Sequence, residues 1–147
     1  MTETDHRVRL HLYERFVADG RPPTAAETAA ALGLAEEEAE HAYRRLEKAH
    51  VIVLAPGTTD VRMANPLSAV PTPFSVATER GSFYGNCIWD GLGTVAMLGR
   101  SGRVETWCPD CREPLAFTVR DGELEPVDAV VHYAVPAARW WEDIAFS

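Results

Sequence analysis

Residues 22–45 have the sequence PPTAAETAAALGLAEEEAEHAYRR, which predicts two helices separated by a single glycine. Thr24 followed by Glu27 has the pattern of a capping box, so the first helix is predicted to cover residues 25–32. In residues 36–49 apolar side chains recur at helical spacing, the first turn is acidic and the last turn is basic, which predicts the second helix. This helix–glycine–helix pattern is typical of a helix-turn-helix.

The flanking segments extend this pattern to that of a winged helix. Upstream, apolar residues at mostly helical spacing predict a helix over residues 8–19. Downstream, the β-branched run at residues 51–54, a Pro-Gly turn and a return strand at residues 61–63 predict a hairpin. Three helices followed by a hairpin indicate a winged-helix-like N-terminal domain, for which we predict the bounds 1–64.

Residues 65–147 predict a second domain with a different pattern. A proline-rich segment opens it, residues 87–98 predict a helix capped by Asn86, and two tryptophans near the C-terminus predict a short helix. Strands are predicted where apolar residues alternate or cluster, at residues 74–78, 83–84, 104–107, 115–119 and 127–135. The predicted fold class is therefore α+β, with a small mixed sheet as the core and a helix that carries Cys87.

Composition places the 147-residue chain among globular proteins, because 46% of its residues are hydrophobic, 24% are charged and its net charge is −8. No apolar run reaches the roughly 18–20 residues that cross a bilayer, which argues against a membrane protein. The first residues lack a basic and apolar signal, so the expected location is cytoplasmic. Three cysteines in such a chain indicate free thiols, a metal site or catalysis rather than a disulfide framework.

Charge argues against nucleic acid as a partner of the N-terminal domain. The third predicted helix opens with four glutamates, Glu36, Glu37, Glu38 and Glu40. Carboxylates at these positions would face phosphates if this helix entered the major groove, and residues 1–64 contain eight Lys and Arg against eleven Asp and Glu. We therefore favour a packing or lid role, and a winged-helix transcription regulator ranks third among the functions considered.

Cys87 and Asp90 are the first candidates for chemistry. With Asn86 as the N-cap, Cys87 would be the first residue of its helix, where free N–H groups and the helix dipole lower the pKa of a thiol. Asp90 follows three residues later on the same face, so the pair would join a soft nucleophile to a proton carrier. The alternative is a buried cysteine beside an aspartate that only caps its own helix.

The segment Cys108-Pro-Asp-Cys111 is the second candidate. Two thiols at this spacing can chelate zinc or another soft metal, or cycle through a disulfide. A full zinc site needs further ligands, which would have to come from distant residues, namely Cys87, His132, Asp90 or Asp128. The alternatives are a tight turn without function and, for His132, a histidine satisfied within the core.

The combination of Cys87-x-x-Asp90 with a proline-rich segment resembles the alkylmercury (organomercurial) lyases. The matching residues are Asn65-Pro66, Ser68, Pro71-Thr-Pro73, Cys87, Asp90 and Leu98-Gly99. The resemblance covers nearly the whole chain, including the winged-helix-like part and the Val-His-Tyr segment near the C-terminus. It implies protonolysis of a carbon–mercury bond, in which two cysteine thiolates bind the soft metal and an aspartate handles the proton.

The resemblance also assigns residues. Cys87 corresponds to the first family cysteine, Asp90 to the aspartate, and Cys108 to a cysteine that the family uses structurally. The second catalytic cysteine is missing, because Asp128 stands near its place and no cysteine follows Cys111. The chain is therefore identified as a divergent member, in which Cys87, Cys108 and Cys111 could form a three-thiol site for mercury or zinc, with no other cofactor required.

Two functions lead. The first is a lyase for carbon–mercury or related organometal bonds, with Cys87 and Asp90 as the catalytic residues. Its partners would be a small organometallic substrate or a metal ion, and low-molecular-weight thiols. The alternative is a non-catalytic protein on the same fold that binds or senses zinc, mercury or copper, because one family cysteine is missing and the C-x-x-C adds another.

Overall fold

The N-terminal residues form three helices and a hairpin in the predicted order. The structure, a computed structural model, describes residues 1–142 and 144. The helices are α1 (Glu3–Asp19), α2 (Ala25–Leu32) and α3 (Glu36–Lys48), and the hairpin strands are β1 (Ile52–Leu54) and β2 (Val61–Ala64). Capping boxes begin α1 and α2, and a left-handed glycine ends each of them. The identity of this unit as a winged helix stays a prediction.

The described residues form one sheet of eight strands. The strands after β2 are β3 (Leu67–Ser68), β4 (Phe74–Thr78), β5 (Gly81–Gly85), β6 (Gly102–Trp107), β7 (Pro114–Arg120) and β8 (Glu123–Leu124). Their order is β1-β2-β3-β5-β4-β6-β7-β8, and each neighbouring pair is antiparallel. Helices beside this sheet confirm the α+β class, but the sheet is antiparallel rather than mixed. Strands β5 and β6 run in the same direction, but β4 lies between them, so no two neighbouring strands are parallel.

A continuous hydrophobic core joins the helices to the sheet. Its buried members include Phe16, Tyr43 and Leu46 from the helices and Leu67, Val76 and Val104 from the sheet. The hydrogen bonding of the sheet also continues from β2 to β3, across residue 64. The helices and the sheet therefore stabilise each other by sharing buried apolar surface, and the division of the chain at residue 64 stays a prediction.

Helix α4 (Ile88–Leu98) lies close to the sheet because two glycines leave room for it. A Cβ added to Gly85 of β5 would lie 2.5 Å from the backbone nitrogen of Gly91 in α4. A Cβ added to Gly91 would lie 2.8 Å from Cγ1 of Val104 in β6. Such distances are too short for real contacts, so the two glycines set how closely the first turn of α4 approaches β5 and β6.

The C-terminal segment differs from its prediction. The buried strand expected at residues 127–135 is wrong, because residues 125–133 have no regular secondary structure and Val130 is 93% exposed. The open edge of β7 is instead taken by β8. The short helix is confirmed as a 3-10 helix, Ala137–Glu142. Among the described residues, none of the helices has the length and apolar character needed to cross a bilayer.

Candidate active site

A cavity of about 480 Å³ lies at the start of α4. Three parts of the chain line it: the end of β2 with the start of β4, the first turn of α4, and the C-terminal segment. The lining residues include Met63, Asn65, Phe74, Asn86, Cys87, Trp89, Asp90, Val131, His132, Tyr133, Trp140 and Trp141. The cavity thus brings the predicted pair, Cys87 and Asp90, to one place together with the exposed His132.

The proline-rich segment holds the start of α4 in place. The hydroxyl of Thr72, in Pro-Thr-Pro, donates a hydrogen bond of 2.6 Å to the carbonyl of Gly85, two residues before Cys87. The backbone N–H of Phe74 donates to the same hydroxyl at 3.1 Å. Asn65, another lining residue, accepts a hydrogen bond of 2.8 Å at its carbonyl from the Tyr13 hydroxyl of α1. The sequence motif therefore acts here as an anchor for the cavity wall.

Cys87 lies one position earlier in its helix than the sequence predicts. It is the N-cap of α4, with extended backbone angles (φ −148°, ψ −177°), and Asp90 is the third helical residue. Asn86 therefore precedes the N-cap, and its side-chain Nδ2 donates to Oδ2 of Asp90 at 3.1 Å. The sulfur and the carboxyl group still share the first turn, as the spacing requires.

The pKa of the Cys87 thiol is raised, so the expected lowering is wrong. Burial is the largest cause, because removing the sulfur from water disfavours its charged form. The backbone N–H groups of Asp90 and Trp89 lower the pKa, as the position at a helix start predicts, and the charge of Asp90 raises it further. Burial and the neighbouring carboxylate together outweigh the N–H groups, so the Cys87 thiol is harder to deprotonate than an exposed one.

The pKa of Asp90 is raised as well. Burial is again the main cause, and the hydrogen bonds that Asp90 receives from the side chain and the backbone N–H of Asn86 oppose it only in part. The backbone carbonyl of Asp90 accepts a hydrogen bond of 2.9 Å from the hydroxyl of Thr94, a buried residue of α4. The site therefore holds a carboxyl group that is easier to protonate than an exposed one, next to a thiol that is harder to deprotonate.

Two buried polar atoms at the cavity have no hydrogen-bond partner among the described residues: Oδ1 of Asn86 and the hydroxyl of Tyr133. Burial raises the pKa of Tyr133, and the charges of Cys87 and Asp90 raise it further, which places the hydroxyl near both. Unpaired buried polar atoms are costly unless something binds them. Nothing in the sequence singles out Tyr133 beyond its position next to His132.

Aromatic rings form much of the remaining wall. Trp141 stacks on His50, which follows α3, with ring centroids 3.9 Å apart and an angle of 7° between the planes. Trp140 packs against Tyr133 at 5.1 Å, and its indole N–H donates to the carbonyl of Val135 at 2.8 Å. Three of the four tryptophans, including the 66% exposed Trp89, line this cavity.

Cys108 and Cys111 lie elsewhere, in the turn between β6 and β7, and do not line the cavity. Within residues 1–142 and 144, no group of three or more His, Cys, Asp or Glu side chains is placed to hold a metal ion. The predicted three-thiol set is therefore not brought together with Cys87. Asp128, near the place of the missing family cysteine, is exposed and outside the cavity lining.

These features define an α+β protein with a thiol and a carboxyl group in an aromatic cavity. Residues 67–147 match the family described as MerB, alkylmercury lyase, and the chain belongs to that family. Its fold is similar to the crystal structure of the mercury-bound form of MerB2, with a TM-score of 0.67 and 20% identity, over 86% of this chain and 60% of that one. No curated protein matches the chain. Family membership confirms the resemblance seen in the sequence.

Proposed function

We propose that this protein cleaves carbon–mercury bonds by protonolysis, with Cys87 binding mercury and Asp90 delivering the proton. The observation that carries the proposal is the placement of the two side chains on the first turn of α4, in one aromatic cavity. Membership of the alkylmercury lyase family supports the reaction class. The chain spans about 60% of the MerB2 structure, so the activity of the whole protein is part of the proposal.

The proposed reaction balances within the Cys87–Asp90 pair. The Cys87 thiol binds the organomercury cation R–Hg⁺ through sulfur and gives its proton to the Asp90 carboxylate. The carboxyl group then donates this proton to carbon as the carbon–mercury bond breaks, which releases the hydrocarbon R–H and leaves Hg²⁺ on the Cys87 sulfur. Burial favours the protonated carboxyl group, and this suits a proton donor.

The cavity supplies one sulfur, whereas Hg²⁺ is held best by thiolates. Cys87 is the single cysteine in the cavity lining formed by the described residues, and the sequence has none after Cys111. We therefore assign the second sulfur to a low-molecular-weight thiol, which would enter the open side of the cavity and carry the product away. A reducing, cytoplasmic location would supply such thiols.

The lone thiol also favours the second candidate function, in which the protein binds or senses a soft metal without catalysis. A site with one thiolate can hold mercury together with an external thiol and release no hydrocarbon. The two functions share Cys87 and differ in the product, so hydrocarbon release separates them.

The test is anaerobic incubation of the full chain with phenylmercury and excess monothiol, with benzene measured by gas chromatography. The lyase should release benzene, and Cys87→Ser should release it no faster than buffer and thiol alone. Mercury retention without benzene would contradict the lyase and favour the binding protein.

Asp128→Asn provides the matched control. Asp128 is exposed and lies outside the cavity lining, so this variant should keep the benzene release of the unchanged chain. A large loss in this variant would instead indicate that Asp128 has taken the role of the missing cysteine.

A further inference from the structure

The turn between β6 and β7 carries two thiols that the proposed reaction does not use. The backbone N–H of Cys108 donates to the carbonyl of Glu113 at 2.8 Å, and the N–H of Arg112 donates to the carbonyl of Cys108 at 2.9 Å. Arg112 has a left-handed backbone with φ of 64°, an uncommon conformation for a non-glycine residue, which folds the chain back towards Cys108. These bonds hold the C-x-x-C segment as a tight turn rather than a loose loop.

Both sulfurs are reachable from solvent, and the same short turn carries both. Cys111 is exposed and Cys108 is half-buried, and neither forms a disulfide. Backbone N–H groups of Cys111 and Asp110 lower the pKa of Cys108, and a hydrogen bond from the Cys111 side chain lowers it further. The turn thus presents a stabilised sulfur with a second thiol beside it, the arrangement that a chelating pair requires.

We propose that Cys108 and Cys111 form a second thiolate site, separate from the cavity, that binds a soft cation such as Hg²⁺ between the two sulfurs. Thiolates select soft metals. The described residues offer no third Cys, His, Asp or Glu ligand in a cluster, so the site suits a cation that accepts two sulfurs and does not complete the four-ligand shell of zinc.

Binding of Hg²⁺ at this site needs no oxidant or reductant. Two thiols and one Hg²⁺ give a sulfur–mercury–sulfur bridge and release two protons to solvent. The proposal does not depend on the lyase reaction, because it uses neither Cys87 nor Asp90. A failure of hydrocarbon release would leave it standing, and its own failure would leave the lyase standing.

The test titrates the full reduced Cys87→Ser chain with mercuric chloride in the presence of a millimolar monothiol. Bound metal is counted by native mass spectrometry and followed by the sulfur-to-mercury absorption band. One mercury ion per chain is expected. Adding Cys108→Ser or Cys111→Ser should weaken mercury retention at least about tenfold. Once one sulfur has bound mercury, the second sulfur of the same turn is available at an effective concentration of about millimolar or more, and each variant removes this advantage.

Three results would overturn the site. The first is that both double variants retain mercury as well as Cys87→Ser does. The second is that one mercury ion bridges two chains, and the third is that a single chain binds zinc as tightly as mercury. Urea unfolding provides the control. If the double variants unfold at the same midpoint as Cys87→Ser, a loss of mercury is due to the missing sulfur and not to a disturbed fold.

Discussion

Cys87 and Cys108 both receive backbone N–H groups from the residues that follow them, yet their pKa values move in opposite directions. Cys87 is in a cavity, where loss of water and the Asp90 carboxylate disfavour its thiolate. Cys108 is at the surface, where water still solvates the sulfur and the N–H groups are decisive. The position at a helix start or in a tight turn therefore does not determine thiolate character by itself, because burial can reverse it.

The difference suits two kinds of chemistry. A thiol with a raised pKa beside a buried carboxyl group suits the proposed lyase, in which the thiol proton passes through that carboxyl group to carbon. At Cys108 the lowered pKa makes the sulfur easier to deprotonate, and a second thiol in the same turn suits the binding of a soft cation. In the two proposals the same residue type would serve a reaction in one region and binding in the other, and the following predictions test that separation.

The largest effect is expected for Asp90→Asn. Because the proposed proton donor is removed, benzene release should fall by about 10²- to 10⁴-fold. Mercury binding by Cys87 should persist, and the pKa of Cys87 should fall because the carboxylate that raises it is gone. Gas chromatography measures the first effect, and the pH dependence of Cys87 alkylation measures the second.

A structural role for Asp90 would give a different pattern. If Asp90→Asn lost turnover only through unfolding, its urea midpoint would fall together with benzene release, and Cys108 alkylation would change as well. Retained turnover with a lowered Cys87 pKa would show that the proton comes from another group. Proton delivery by Asp90 would then no longer distinguish the Cys87 region from the Cys108 region.

The next effect concerns the contact that places α4. In Gly85→Ala, the new Cβ would meet the Gly91 nitrogen at 2.5 Å, so the first turn of α4 has to move away from β5. We expect a loss of about 1–3 kcal/mol in the free energy of unfolding, which urea denaturation measures. Gly99→Ala is the matched control, because its Cβ meets nothing within 4 Å on extended backbone.

The same pair of variants tests whether the two cysteine regions are independent. Movement of α4 should change the alkylation of Cys87 and leave that of Cys108 unchanged, since the β6–β7 turn is held by its own hydrogen bonds. Equal changes at both cysteines would mean that the regions are coupled through the sheet.

Local features of the fold could be predicted from the sequence because their causes are local. The capping box at Thr24 and the left-handed Gly33 bound α2 at the predicted residues 25–32. Strand β4, at residues 74–78, likewise follows its own alternation. By contrast, β3 has only two residues, which are too few to show a periodic pattern. Residues 127–135 have the composition of a strand, but β8 occupies the edge of β7.

The candidate site was predictable only in part, for a similar reason. The spacing of Cys87 and Asp90 places both on one helical turn, which the sequence can show. Whether these groups are buried depends on Tyr133 and Trp140, which come from a segment more than 40 residues away in the chain. Burial sets the direction of the pKa shifts, so their sign could not be inferred from the helix position alone.

The third prediction measures that sign directly. Iodoacetamide labelling across a pH series, with each cysteine followed by peptide mass spectrometry, should give a higher midpoint for Cys87 than for Cys108, because the pKa of Cys87 is raised and that of Cys108 is lowered. As pH rises, Cys108 therefore becomes reactive first. Because access affects rates but not midpoints, a Cys87 midpoint below that of Cys108 would break the comparison.

The smallest effect is expected for Tyr133→Phe, which removes the unpaired buried hydroxyl near Cys87 and Asp90. Since this hydroxyl has no partner among the described residues, the free energy of unfolding should stay within about 1 kcal/mol of its original value or rise. Benzene release should fall severalfold if the hydroxyl binds substrate or thiol in the cavity, with the change in KM and not in kcat. The β6–β7 turn offers the internal reference: mercury retention by Cys108 and Cys111 should be unchanged, and a loss there would mean that the substitution disturbs the whole sheet and not the cavity alone.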